Sequence, residues 1–576
     1  MTALTEPRFL SAGAAWRRAL VVWLRDLRPA TATVLMAAGI PVLVAAWALM
    51  SPPTLFSRTM TQDLLFNLAG AWRIYLGQVA HVDFHDPSGR LSFLLTALGF
   101  HLLGPSPFAF LVNVGVMAAA LFAAAFVAAI RRLPLLPAVL FIVFASLLAL
   151  VPANVGDRPD QYTFAMSYNR YCWSAFGILA LILFVPPQPG RRPASLDLCV
   201  GGGLLLLMFY LKITYFAAGL MTVGFAMLFH RHVRQNWLAW VAVALLVTAN
   251  ALAPWNRPYL TDILDWSTSG AVRNGLLLHF NNFVAAIALY APYLAAIAVA
   301  GWMWVFGRAS FRFPLTLAFL FVVSLGLLSQ NSQALGVPTG VVMVLILYDR
   351  LRRHFASVRN RDIAPLLLTL LFFPFFEASC FAASIVGYHA KASAEHGLYV
   401  VDRTHLRNLA VPDGQRGTFL SFSRTFDYPV AVAPEHMLPR YQLTDYEYML
   451  SLLQAADLLQ KRPPGGIALL DSINPLPFML GWAPPRGANL WSTWNAPRRG
   501  ADEYLADVRY ILVPKFSLNP DWTEDLTRFY GDYLADHFST TAETPCWTLL
   551  IRTDHAVRKS HDAPETPSQT AGAPPL

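Results

Sequence analysis

Through the first 390 residues, long apolar runs alternate with short polar breaks at a repeat matched to a lipid bilayer. Runs such as Ala30–Met50, Phe108–Ile130 and Leu133–Val151 have the roughly 20 residues that cross a hydrocarbon core of about 30 Å as a helix. Lipid offers backbone amides no partner, so a crossing segment must be helical. The pattern predicts eleven spans, near 31–50, 108–130, 133–152, 171–187, 196–211, 214–230, 236–254, 282–306, 313–330, 336–349 and 364–387. Leu91–Leu103 is apolar too, but its 13 residues suit an interfacial or re-entrant helix that does not cross.

Beyond about Lys391 the pattern shortens. Gly417–Ser423, Gly466–Asp471, Val508–Pro514 and Trp547–Arg552 read as buried strands, and Thr444–Gln460 and Asp521–Leu534 as helices. Thr444 and Glu447 have the spacing of a capping box. The expected division is an interfacial cytoplasmic segment 1–30, a transmembrane domain 31–390 with its first outer loop at 51–107, an extracytoplasmic α/β domain 391–554, and a disordered Pro/Ala/Ser/Thr-rich tail 555–576.

Charge sharpens this picture. Only 13% of the residues are charged, about half of what a soluble domain carries. The net charge of +9 comes from arginines grouped between apolar runs, as in Arg17/Arg18, Arg131/Arg132, Arg191/Arg192 and Arg350/Arg352/Arg353. That is the signature of cytoplasmic loops, whereas a nucleic-acid-binding face would gather them in one patch. If Leu91–Leu103 crossed, Arg131, Arg132 and every later group would fall outside; a non-crossing segment keeps them inside. The expected location is the cytoplasmic (inner) membrane, multi-pass, with the N-terminus inside and the C-terminal domain outside. Cys172, Cys199, Cys380 and Cys546 show neither metal-type spacing nor a disulfide framework.

Candidate chemistry concentrates in the first outer loop. Leu64, Leu65, Leu68, Trp72, Tyr75 and Leu76 fall at helical spacing, so residues 61–76 are expected to form an amphipathic helix on the membrane. Thr61 is the expected cap, which puts Asp63 in the first turn, where the helix dipole favours an ionised carboxylate. Spacing alone is equally consistent with Asp63 as an ordinary helix-start acid. Further on stand His81-Val82-Asp83-Phe84-His85-Asp86-Pro87 and a short apolar helix ending Leu-Leu-Gly-Pro-Ser.

An acid opening a surface helix, then Gly, then Asp-Phe-x-Asp-Pro, then that short helix, resembles the GT-C superfamily of glycosyltransferases, in particular the protein O-mannosyltransferase and lipid A aminoarabinose transferase group. The family usually has two adjacent acids where this chain has Gln62-Asp63. A second resemblance is Phe209-Tyr210-Leu211-Lys212-Ile213-Thr214-Tyr215, similar to a Leu-x-Lys-x-x-x-Gly span end, with Tyr210 and Phe216 at the Leu and Gly positions. A plain snorkelling lysine has the same placement. Together the motifs cover roughly residues 30–235.

The resemblance implies a polytopic α-helical GT-C-like membrane protein with a C-terminal extracytoplasmic α/β domain. It further implies inverting transfer of a sugar from a polyprenyl-phosphate donor to a lipid or glycan acceptor. Asp63 would be the catalytic base, with Lys212, Arg170, Asn169, Asp83, His85 and Asp86 binding substrate. No cofactor is implied. A divalent cation has only Asp157 and Asp160, two carboxylates in a short loop, in its favour. Asn331, Gln333, Arg257, Asp262, Asp265 and Arg273 fall on the same expected face as ordinary loop residues, and Glu377 lies mid-span, where carboxylates are costly and often functional. Asp471-Ser472-Ile473-Asn474 follows a strand, where an α/β sheet binds ligands, and so suits an acceptor-binding or site-covering role; with no Gly-rich phosphate fingerprint beside it, packing and turn formation is the expected one. Two other readings stand beside the transferase. A transporter or flippase would show pseudo-symmetric halves, and none is visible. A non-catalytic membrane scaffold would not need Asp63.

Overall fold

The structure is a computed structural model describing residues 29–153, 162–188, 194–269, 283–284, 287–329, 336–354, 387, 398–413, 443–492, 496–518 and 520–553. The expectations for 1–28, Asp157, Asp160, Arg273, Asn331, Gln333, Glu377, the strand 417–423 and the tail lie outside these residues.

The N-terminal two-thirds is helical: α1 (Pro29–Met50), α2 (Thr61–Tyr75), α3 (Leu91–Leu103), α4 (Ala109–Ile130), α5 (Leu135–Leu150), α6 (Ser167–Phe184), α7 (Ala194–Leu211), α8 (Ile213–Phe229), α9 (Arg231–Arg234), α10 (Trp237–Ala251), α11 (Arg257–Thr268), α12 (Ile287–Val305), α13 (Arg312–Leu328) and α14 (Gly340–His354). Ten of the eleven apolar runs coincide with a helix, and the eleventh, 364–387, falls almost wholly outside the described residues. By length and composition, the described helices that can cross a membrane are Thr31–Met50 and Ala109–Ile130, with α10 and the bent segment 254–268 as a third if taken as one span. The others are apolar but shorter. Large apolar side chains such as Leu43, Trp47, Leu245, Leu246 and Val322 point outward and are exposed. That inversion of the soluble rule fits helices whose solvent is lipid.

The body is built around α6, whose side chains are nearly all buried among α5, α7, α8 and α14. Alanines along α4 let it approach α5 closely. At one end of the body Arg132 is fully buried; its guanidinium meets Asp197 at 2.8 Å and donates to the Val185, Ala128 and Ile182 carbonyls. An arginine expected at a loop surface is thus an internal clamp joining three helices.

The C-terminal portion contains β3 (Leu398–Val400), β4 (Leu409–Pro412), α15 (Asp445–Gln460), β5 (Gly466–Leu469), α16 (Leu476–Leu480), β6 (Ala488–Asn489), α17 (Ala501–Tyr504), β7 (Val508–Pro514), α18 (Pro520–Phe529), α19 (Gly531–His537), β8 (Phe538–Glu543) and β9 (Trp547–Arg552). A four-stranded sheet runs β5-β7-β9-β8, with β5 parallel to β7 and the other pairs antiparallel. Thr444 and Glu447 cap α15 reciprocally. The single helix expected over 521–534 is two, α18 and α19, broken at Tyr530.

Two short strands of the first loop join the C-terminal portion. β1 (Leu55–Phe56) pairs in parallel with β4, and β2 (Phe84–His85) with β6. Rings close the seam: Trp72 lies against His405 and Phe478, and Phe100 stacks on Phe478 at 5.3 Å. Trp72 Nε1 donates to the Trp482 carbonyl, and Arg73 Nη1 to that of Pro485. As a result α2 is buried along nearly its whole length. The expectation of a helix lying on the membrane is corrected in this respect: its second face is covered by protein.

Candidate active site at the seam

Met60, in left-handed backbone (φ 56°), precedes α2, and Thr61 is its first helical residue. Thr61 therefore does not cap the helix as expected from its type. Its N–H instead donates to Asp445 Oδ1 at 2.8 Å, and its hydroxyl to Ser57. Asp63 stands in the first turn, half-buried, with its carboxyl accepting the Met166 N–H at the start of α6. Burial raises this carboxyl to about 7, and the Met166 hydrogen bond only partly offsets it. The dipole-favoured ionised acid expected from sequence is thus overridden by desolvation.

Lys212 sits in the break between α7 and α8 in extended backbone, which frees its side chain from both helices. Its Nζ donates to Asn169 Oδ1 at 3.2 Å and lies 5.5 Å from the Tyr168 ring centre. Burial lowers the ammonium to about 8, with Cys172 and Asp86 opposing the shift. Asp86 is buried, accepts the backbone N–H and hydroxyl of Ser88, and is raised to about 7 by desolvation, with Asp262 adding and Lys212 opposing. The Asp63 and Asp86 carboxyls both bear electrostatically on the Tyr168 hydroxyl. Lys212 and Asn169 therefore meet beside Tyr168, in the first turn of α6, with the Asp63 and Asp86 carboxyls near enough to act on its hydroxyl.

The other expected substrate-binding residues are occupied elsewhere. Arg170 donates to the Thr163 and Ala165 carbonyls and braces that loop. Asp83 accepts the Val79 N–H at 2.7 Å and pairs with Arg486 at 3.4 Å. His85 Nδ1 lies 2.7 Å from Asp262, and its Nε2 3.4 Å from Glu503. Asp262 is a hub that sequence reading left as a loop acid. It also holds His81 Nδ1 at 3.0 Å, the Asp86 N–H, and Arg499 at 3.3 Å. Its burial opposes ionisation, but the hydrogen bonds from His81 and His85 outweigh that and hold its carboxyl below the ordinary range. Asp471 is buried and accepts from Ser472, Ser517 and Leu518, a packing role as expected. Among the described residues no group of three or more His, Cys, Asp or Glu is disposed to hold a metal ion.

Gly89 fixes how the loop meets Lys212. Its N–H donates to the Leu211 carbonyl, and a Cβ there would fall 2.1 Å from the Tyr210 carbonyl oxygen. Only glycine allows the loop to cross the helix break so closely.

Fold and site together define a helical membrane protein with a polar, ionisable site at the seam between its helical body and a strand-containing C-terminal portion. No family model and no curated protein matches the chain. Among solved structures it is similar to ArnT from Cupriavidus metallidurans in the apo state, with 11% identity over 91% of this chain and 98% of that one and a TM-score of 0.47. It is also similar to ArnT from Cupriavidus metallidurans bound to undecaprenyl phosphate, with 12% identity over 90% and 98% and a TM-score of 0.44. A third is the archaeal oligosaccharyltransferase AglB from Archaeoglobus fulgidus in complex with an inhibitory peptide and a dolichol-phosphate, with 9% identity over 83% and 69% and a TM-score of 0.39.

Proposed function

We propose that this chain is an inverting membrane glycosyltransferase that moves a sugar from a polyprenyl-phosphate donor to a lipid or glycan acceptor at the outer membrane surface. In this reading the chain has eleven spans, and the seam and C-terminal domain face outward from the cytoplasmic membrane. The observation that carries the proposal is the meeting of Asp63 and Lys212 about Tyr168, at the junction of an apolar body with a polar cap. Ionised Asp63 takes the proton of the acceptor hydroxyl as its oxygen attacks the anomeric carbon. The bond from that carbon to the phosphate oxygen breaks, its electron pair stays on the phosphate, and Lys212, held by Asn169, stabilises the added charge. A single displacement inverts the anomeric centre. Cys172 and Asp86 partly offset the burial that works against the cationic form of Lys212. Asp83, His85 and Arg170 act by shaping the loop and the seam.

The test is release of free polyprenyl phosphate from polyprenyl-phosphate sugars by the purified chain in vesicles. Turnover that requires an acceptor and is lost in Asp63→Asn supports the reading. Movement of the intact lipid-linked sugar across the bilayer with no release would replace it with a flippase.

A further inference from the structure

We infer that Asp445, far along the chain in the C-terminal portion, is a positioning residue for Asp63. The inference rests on the transferase reading above. Asp445 is buried, and its Oδ1 accepts the Thr61 N–H, the first free donor of α2, at 2.8 Å. It is also the first residue of α15, whose own start is capped separately by Thr444 and Glu447. One carboxylate therefore faces the positive ends of two helices, one from each side of the seam.

Two residues past Thr61, Asp63 reaches the Met166 N–H at the start of α6. The links run in series from Asp445 to the first turn of α2, then from Asp63 to α6. Met60 and Met166, the residues before those two helices, both adopt left-handed backbone, which non-glycine residues rarely take. Met60 precedes the donor of the first carboxylate contact, and Met166 supplies the donor of the second. β1, a few residues before Thr61, pairs with β4, so α2 enters from a strand that is itself tied to the C-terminal portion. Without the Asp445 contact, the first turn of α2 would keep no cap of its own, because Met60 supplies no side-chain hydrogen bond. Asp63 would then swing with a fraying turn, and a reacting geometry tolerates little such movement.

The experiment uses the full chain with Asp445→Ala and Asp445→Asn, reading amide hydrogen exchange over residues 60–66 alongside kcat and donor KM. Asp445→Ala should speed exchange by about 10-fold and lower kcat by roughly 10- to 100-fold, with donor KM within about 2-fold. Asp445→Asn keeps an acceptor oxygen for the Thr61 N–H and should stay within about 3-fold of the native chain in both. Unchanged exchange in Asp445→Ala overturns the inference, as does faster exchange with native kcat per folded molecule. If Asp445→Ala does not fold, Asp445→Glu carries the test: it retains the charge but displaces the oxygen, so kcat should fall while KM holds, and native kcat overturns the inference. A native chain that transfers no sugar, while Asp445→Ala still loosens 60–66, places the failure in the functional reading and leaves the anchor standing.

Discussion

Burial does most to set the chemistry of individual residues. It moves the Asp63 carboxyl up to about 7 and the Lys212 ammonium down to about 8. The base must be ionised, so activity rises as pH rises through about 7; the cation must be protonated, so activity falls as pH rises through about 8. The expected kcat/KM profile is a narrow bell between those values, since kcat/KM follows the groups of the free enzyme. A profile flat from pH 6 to pH 9 (roughly one unit beyond each limb) would remove Asp63 and Lys212 from the reaction. Lys212→Gln keeps a donor but loses the charge, and should lower kcat/KM for the donor by about 10- to 100-fold, the worth of a charged hydrogen bond. Titrating the variant with donor at fixed acceptor measures this. Sequence made these two residues visible, because Asp63 opens a helix and Lys212 interrupts an apolar run. Their shared neighbour Tyr168 was not singled out, since only packing of α6 against the loop brings it between them.

Among the elements, what matters is how closely the first loop threads the body. Gly89 crosses the Tyr210–Lys212 break with no room for a Cβ, whereas Gly77, at φ +88°, has open space around it. Gly89→Ala should therefore destabilise by at least the 1–3 kcal/mol typical of overpacking (about 3 here, because the obstacle is backbone) and displace Lys212. Gly77→Ala should cost only about 1–2 kcal/mol of left-handed strain and leave activity intact. Thermal unfolding in detergent, paired with turnover, separates the two. Apolar runs located ten helices, and short apolar stretches located β5, β7 and β9, because burial on a regular element leaves its trace in local sequence. β1, β2 and β6 leave none: they are two residues long, and the pairs β1–β4 and β2–β6 join segments hundreds of residues apart. Thr61 was misleading for the same reason, since its type suggested a local cap when the acceptor comes from α15.

On the scale of the whole molecule, loop and C-terminal portion behave as one cap clamped to the helical body. Asp262, on α11, ties His81 and His85 of the loop to Arg499 of the C-terminal portion. Asp262→Ala strips three partners from a buried ion cluster, and breaking such a cluster costs about 3–5 kcal/mol. Limited proteolysis should then release the C-terminal portion well before the helical body unfolds; cleavage at the native rate would show that the seam does not depend on this hub. Composition had already implied a membrane body with a polar C-terminal portion. What packing adds is that this portion covers α2 and bonds to its first turn. The central claim, sugar transfer dependent on Asp63, is tested most directly by mass spectrometry of envelope lipids and glycans. Cells lacking the chain are compared with cells restored with native protein or with Asp63→Asn at equal membrane abundance. The account predicts a sugar-sized mass increment that returns with the native chain and not with Asp63→Asn. An increment restored equally by both would contradict it.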